Sequence, residues 1–159
     1  MKKLLVLVAL IAGVLVSACR TSTDQTETSG NPFEQEWDTP FGVPPFNEIK
    51  DEHYMPAFKK GMEENLAEID AIVNNPEAPT FANTLEELER TGKLLNKVGN
   101  VFFNLTSSNT NPKLQELQRE LSPLLSAHSD KIRLNKGLFN RGETIWQARE
   151  KLDLSNEQL

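Results

Sequence analysis

The chain has 159 residues, one cysteine, two histidines and a formal charge of −6, with 17 basic against 23 acidic side chains. That balance argues against nucleic acid or anionic lipid surfaces as partners. A single cysteine rules out an internal disulfide, so stability must come from packing.

Residues 1–18 read as an export signal. Lys2 and Lys3 form a basic start, Leu4 to Val16 form an apolar run broken only by Gly13, and Ser17 and Ala18 supply small residues. The run is too short to span a bilayer comfortably. Cys19 follows directly. A bacterial lipoprotein signal requires a cysteine at this place because its thiol takes a diacylglycerol before cleavage; the alternative is an ordinary signal with a chance cysteine. Cys19 is therefore the predicted lipidation site. Each buried CH₂ of the lipid contributes about 0.8 kcal/mol, so several acyl chains hold a protein on a membrane stably. Loss of Lys2 and Lys3 with the signal leaves 15 basic against 23 acidic side chains, a balance of −8. Arg20, in place of an aspartate, points to export onward to the periplasm-facing side of the outer membrane.

Residues 19–43 are expected to form a lipid-anchored tether and an extended, proline-rich arm. Arg20 to Asn31 is rich in Thr, Ser, Asp and Gln, and a flexible coil of about 12 residues reaches roughly 20 Å. Between Pro32 and Pro45 come Phe33, Trp37 and Phe41 among prolines, predicting extended chain laid over a surface.

Residues 44–159 read as all-α, with antiparallel helices. Pro56 suits a first helical position, and Met55, Phe58, Met62, Leu66, Ile69 and Val73 form its stripe. Thr84 to Glu87 predicts a capping box opening a second helix, with Leu85, Leu88, Leu95, Val98, Phe102 and Leu105 in line. Asn111-Pro112 opens a third, carrying Leu114, Leu117, Leu121, Leu124, His128 and Ile132, with a kink expected at Pro123. A fourth is expected from Leu138 to Leu152. Ser155 and Gln158 match another capping box, with Leu154 and Leu159 as its hydrophobic staple. A helix start so near the last residue predicts a longer polypeptide, of which this is the N-terminal portion.

The helical part carries a set of words in order: Pro44-Pro45-Phe46, His53-Tyr54-Met55-Pro56-Ala57-Phe58, Pro79-Thr80-Phe81-Ala82-Asn83-Thr84, Leu88-Glu89-Arg90-Thr91-Gly92, Val101-Phe102-Phe103-Asn104-Leu105-Thr106, Ala127-His128-Ser129-Asp130 and Leu138-Phe139. Together they resemble the N-terminal region of the thimet oligopeptidase-like zinc metallopeptidases, nearest the bacterial peptidyl-dipeptidases. The resemblance implies a helical enzyme split by a deep channel, with zinc held by an H-E-x-x-H helix and a downstream Glu. It implies removal of dipeptides from the C-terminus of short peptides, with the N-terminal helices forming channel wall. Gly142-Glu143 departs from the family pattern, where a branched apolar residue is usual, and predicts a weakened fourth helix.

This chain has no H-E-x-x-H motif, so it is expected to carry no catalytic residue and no metal ligand, and to be inactive without the missing C-terminal catalytic region. His53 reads as a hydrogen-bonded residue fixing entry to the first helix, and His128 as a satisfied core histidine. Tyr54 reads as a packing residue, with channel lining as the alternative. A cut-off wall should also leave an apolar patch involving some of Phe102, Phe103, Phe139 and Trp146. The rival readings are a free-standing helical lipoprotein binding module and an inactive remnant.

Overall fold

The computed structural model describes residues 30–152 together with 154, 155 and 158. The predicted signal, Cys19 and the tether up to residue 29 lie outside the described residues, as does Leu159. Among the described residues the architecture is all-α: α1 (Asp51–Val73), α2 (Glu87–Arg90), α3 (Lys93–Ser108), α4 (Pro112–Arg133) and α5 (Lys136–Ala148). No helix among them is long and apolar enough to cross a membrane.

Helix α1 is the centre of the fold, packing mainly on α3 and also on α4 and α5. Tyr54 meets Phe102 with ring centroids 5.0 Å apart, while Gly61 lies against Leu95 and Asn65 against Gly92. Rising numbers on α1 thus meet falling numbers on α3, so the two run antiparallel. Asp51 meets Asn111 and Asn65 meets His128, so α4 runs parallel to α1 and antiparallel to α3. The core gathers Phe33, Tyr54, Ala57, Phe58, Val98, Val101, Phe102, Leu114, Leu117 and Leu121.

Helix α1 begins one turn earlier than the position of Pro56 suggests. The Lys50 N–H donates to His53 Nδ1 at 3.1 Å, and Asp51 and Glu52 place negative charge at the helix start. Pro56 therefore sits inside the helix on its exposed side, where its missing N–H leaves only the exposed Glu52 carbonyl without a helical partner. The buried face is also rotated from the predicted stripe. It runs through Tyr54, Ala57, Phe58, Gly61, Asn65, Ile69 and Ile72, leaving Met55, Met62, Leu66 and Val73 half-buried. The cause is close approach: a Cβ on Gly61 would stand 2.8 Å from the Leu95 backbone nitrogen. The glycine lets α3 seat directly on the α1 backbone.

The predicted second helix starts earlier than expected and is broken once. Its cap is Thr80, not Thr84: the Asn83 N–H donates to Thr80 Oγ1 at 3.1 Å and the Thr80 N–H to Asn83 Oδ1 at 2.8 Å. A π-helical turn, Phe81–Glu86, runs straight into α2, and the helix breaks at Thr91-Gly92 before α3. Gly92 adopts φ 72°, and its N–H donates to Glu68 Oε2 at 2.6 Å.

Helices α4 and α5 start close to expectation. Asn111 Oδ1 accepts from the Leu114 N–H at 2.8 Å, with Pro112 at the first helical position. The helix runs unbroken through the exposed Pro123, and the stripe beyond it passes through Leu125 rather than the exposed Leu124. Asn135 Oδ1 caps α5 through the Leu138 N–H at 3.0 Å. A 3₁₀ turn, Arg149–Lys151, carries the chain on toward Ser155, whose N–H donates to Gln158 Oε1 at 2.9 Å, the Gln158 half of the predicted box, while the Gln158 N–H donates to the Ser155 carbonyl at 3.1 Å.

The proline-rich arm is not extended chain laid over the surface. Pro32–Glu34 and Pro40–Gly42 form 3₁₀ turns, and Asn31, Pro32 and Phe33 are buried. Phe33 stacks on Tyr54 at 5.3 Å, and Asn31 Nδ2 donates to the His53 carbonyl at 2.9 Å. Apolar burial of one aromatic ring, seated by an asparagine, draws this stretch into the domain. Phe41 is the opposite case, wholly exposed at φ 62°.

Candidate functional site

The chain's two histidines sit on different helices and meet α1 at different levels. His53 occupies its first turn, fixing the chain's entry through the Lys50 N–H as expected. His128, on α4, bonds Asn65, twelve residues further along α1. At 1.5 Å per residue that is about 18 Å, too far for both rings to ligate one ion. Among the described residues, no three His, Cys, Asp or Glu side chains are grouped so as to hold a metal. The zinc implied by the family resemblance does not fit the described residues.

His128 is buried, and its Nε2–H donates to Asn65 Oδ1 at 2.8 Å, while its Nδ1 has no partner. The core-histidine reading holds for one ring nitrogen only. A proton on Nδ1 would bury charge and an unmatched donor beside Lys131, so burial first and Lys131 second lower the pKa from 6.5. The unfolded chain then binds more protons below that value. The stability His128 provides is complete above about pH 6.5 and declines as pH falls toward the lower folded-state pKa. Urea midpoints at pH 7.5, 6.5 and 5.5 should drop more for the wild-type chain than for His128→Gln. Equal slopes would remove His128 from the account.

Tyr54 is the chain's single tyrosine, and it is buried with its hydroxyl unpartnered. It packs between Phe33 and Phe102, which favours packing over channel lining within this chain. Burial, then the Asp51 charge, pushes its pKa up from 10.0 to about 12. Because the folded state holds the phenolic proton more tightly, stability falls as pH rises from 10 toward 12. Tyr54→Phe removes a buried hydroxyl that bonds nothing, so it should leave stability unchanged or raise it by up to about 1 kcal/mol. Alkaline absorbance titration of the wild-type chain should show no phenolate near pH 10 until the protein unfolds.

Arg141 gave no signal in the sequence. It is buried on α5, and its guanidinium donates to Thr84 Oγ1 at 3.2 Å, the Asn75 carbonyl at 3.1 Å, the Glu77 carbonyl at 3.3 Å and Asn83 Oδ1 at 3.0 Å. Every one of these acceptors is neutral. The group ties the 75–84 segment to α5, and that segment delivers Phe81 and Leu85 to the edge of a groove. A signal was available only indirectly, in the two threonines and the asparagine of Thr80 to Thr84, which offer more acceptors than one cap needs.

The groove beside α5 measures about 240 Å³ and is lined by Phe81, Leu85, Gly142, Ile145, Trp146 and Leu154, among others. Helix α5 is continuous through Gly142, and a Cβ there would meet nothing within 4 Å. Phe139 is 65% exposed and Trp146 is 56% exposed. Phe103 is also exposed, whereas Phe102 is fully buried in the core. A larger cleft of about 500 Å³ beside α1 mixes Glu68, Glu87, Arg90 and Lys93, with Glu68 already engaged by the Gly92 N–H.

No protein-family model matches the chain. Dipeptidyl carboxypeptidase of Salmonella typhimurium is 46% identical over 131 residues, which is 82% of this chain and 19% of that protein. Dipeptidyl carboxypeptidase of Escherichia coli is 42% identical over 132 residues, 83% of this chain and 19% of the relative. Oligopeptidase A of Haemophilus influenzae is 31% identical over 117 residues, 74% of this chain and 17% of the relative. The chain thus spans about a fifth of the length of the curated relatives it matches.

Proposed function

This chain belongs, in its matched residues, to the thimet oligopeptidase-like peptidase family, and from that premise we propose that it is the N-terminal helical segment of a larger, lipid-anchored zinc peptidyl-dipeptidase. In the complete enzyme the segment forms channel wall that admits short, unfolded peptides and contributes no zinc ligand of its own. The zinc, the activating glutamate and the residues that stabilise the tetrahedral intermediate come from the C-terminal catalytic region. Acylated Cys19 holds the enzyme on the periplasm-facing side of the outer membrane.

The observation that carries this reading is strong identity to two dipeptidyl carboxypeptidases confined to a fifth of their length. The exposed aromatic residues of α5 support it, since an isolated domain gains nothing by leaving Phe139 and Trp146 in water. The test is the intact mass of the native lipoprotein, extracted from source-cell membranes with an antibody to residues 44–159. A species several times larger than this chain, carrying zinc and releasing C-terminal dipeptides, is the expected result. A mature acylated species ending at Leu159 overturns it. Labelling with radioactive fatty acid, present in the wild type and lost in Cys19→Ala, checks the anchor separately.

A further inference from the structure

We propose that the outer face of α5, from Phe139 through Gly142 to Trp146, with the groove beside it, is the seat on which the catalytic region of the complete peptidase docks. The inference rests on the preceding functional reading and names the surface that reading requires.

Phe139, Gly142 and Trp146 are spaced by three and four residues, which places them on one face of α5. Both aromatic side chains are more than half exposed. The glycine between them leaves an open notch, since a Cβ at 142 would touch nothing. Glycine inside a helix costs roughly 1 kcal/mol relative to alanine, and no contact within the described residues requires it. An apolar side chain arriving from outside gives the notch a use, as a knob entering a hole between two rings. Helix α5 is held at a fixed angle for this by Arg141, whose bonds to the 75–84 segment also set Phe81 and Leu85 as the far wall of the groove.

The occupant follows from the length and placement of the chain. About four-fifths of the relatives' length lies beyond the match. Leu154 and Gln158 line this same groove, so polypeptide following Gln158 in a longer protein starts at this face. A neighbouring helix with an apolar stripe, covalently continuous with α5, meets the groove with no translational entropy to lose.

The test fuses the full 159-residue chain ahead of the remaining four-fifths of the Salmonella typhimurium dipeptidyl carboxypeptidase and measures dipeptide release. The wild-type fusion should be active. Trp146→Asp and Phe139→Asp should each lower activity at least about tenfold, the scale of a buried aromatic contact at an interface, with Trp146→Phe retaining it. The same aspartate variants in the unfused chain should melt within a few degrees of the wild type, because neither ring is in the core and Trp146 gives up only its surface contact with Arg149, whose guanidinium lies 4.0 Å from the ring centroid. Full activity of both aspartate fusions overturns the docking face while leaving the peptidase reading intact. An inactive wild-type fusion overturns the peptidase reading, and the docking proposal falls with it. A melting temperature lowered beyond that in the unfused variants overturns the proposal by placing these rings in the chain's own packing. Sedimentation of the unfused chain as a dimer that Trp146→Asp dissolves assigns the face to a second copy instead.

Discussion

Phe102→Ala is expected to remove about 3–5 kcal/mol of folding stability, the range for truncating a fully buried phenylalanine. Phe102 has no exposed surface and sits where α3 packs on α1. Tyr54 packs against it at 5.0 Å, Phe58 crosses it edge-on at 5.4 Å with an 87° interplanar angle, and its neighbour Phe103 closes the cluster at 5.3 Å. These are edge-to-face arrangements, which gain beyond area burial because the positive ring edge meets the negative face. Removal opens a cavity walled by rings on rigid helices, with little scope to collapse. Against a typical domain stability of roughly 5–15 kcal/mol, the loss should move the urea midpoint to the foot of the wild-type transition. Phe103→Ala serves as the control. Its ring is nearly half exposed, so the loss should be distinctly smaller. Equal losses at the two positions would falsify the assignment of Phe102 to the core.

Arg141→Met is the second large effect, expected at about 2–4 kcal/mol. The methionine approximates the length of the side chain but leaves the Asn75 and Glu77 carbonyls without the donor they have in the folded state. Each buried polar group left unmatched costs roughly 1–3 kcal/mol, offset in part by water reaching the partly exposed loop. Lysine at the same position carries the charge but only one nitrogen, so it cannot reach Thr84, Asn83 and both carbonyls from one planar fork. Arg141→Lys should therefore rescue less than half of the loss. Hydrogen exchange separates this from general destabilisation. Amides of residues 75–84 should lose protection in Arg141→Met well before those of α1 and α3. Uniform loss across the chain would show that Arg141 does not act through that segment.

The two positions differ in how visible they were beforehand. Phe102 lies on a stripe with Leu95, Val98 and Leu105 that any helical spacing analysis finds, because a helix repeats every 3.6 residues whatever packs on it. Membership of a stripe does not say whether a given ring faces a partner inside the chain or outside it. Arg141 was legible only indirectly, through the surplus acceptors of Thr80 to Thr84. An arginine on a helix is ordinarily solvated, and only the return of residues 75–84 across α5 makes it a buried donor. Thr84 shows the same limit from the other side. Its local sequence satisfies a capping box, yet Thr80 takes that role with Asn83, and Thr84 is left to bond Arg141.

The sequence by itself determined the all-α class, the cap at Asn111, the start of α4, the entry bond at His53 and the family membership. These depend on the spacing of side chains along a helix, on hydrogen bonds spanning three residues, or on residue identity in order, and none needs a distant part of the chain. Tertiary structure alone decided the rotation of α1, the break between α2 and α3, the burial of Phe33 and the neutral cage around Arg141. Each arises where segments far apart in sequence compete for one site. Gly61 turns α1 because the Leu95 backbone needs the space, and Phe33 leaves solvent because Tyr54 and Trp37 offer it a wall. A local pattern fixes which faces are apolar, and only the approach of another element selects the one that is covered.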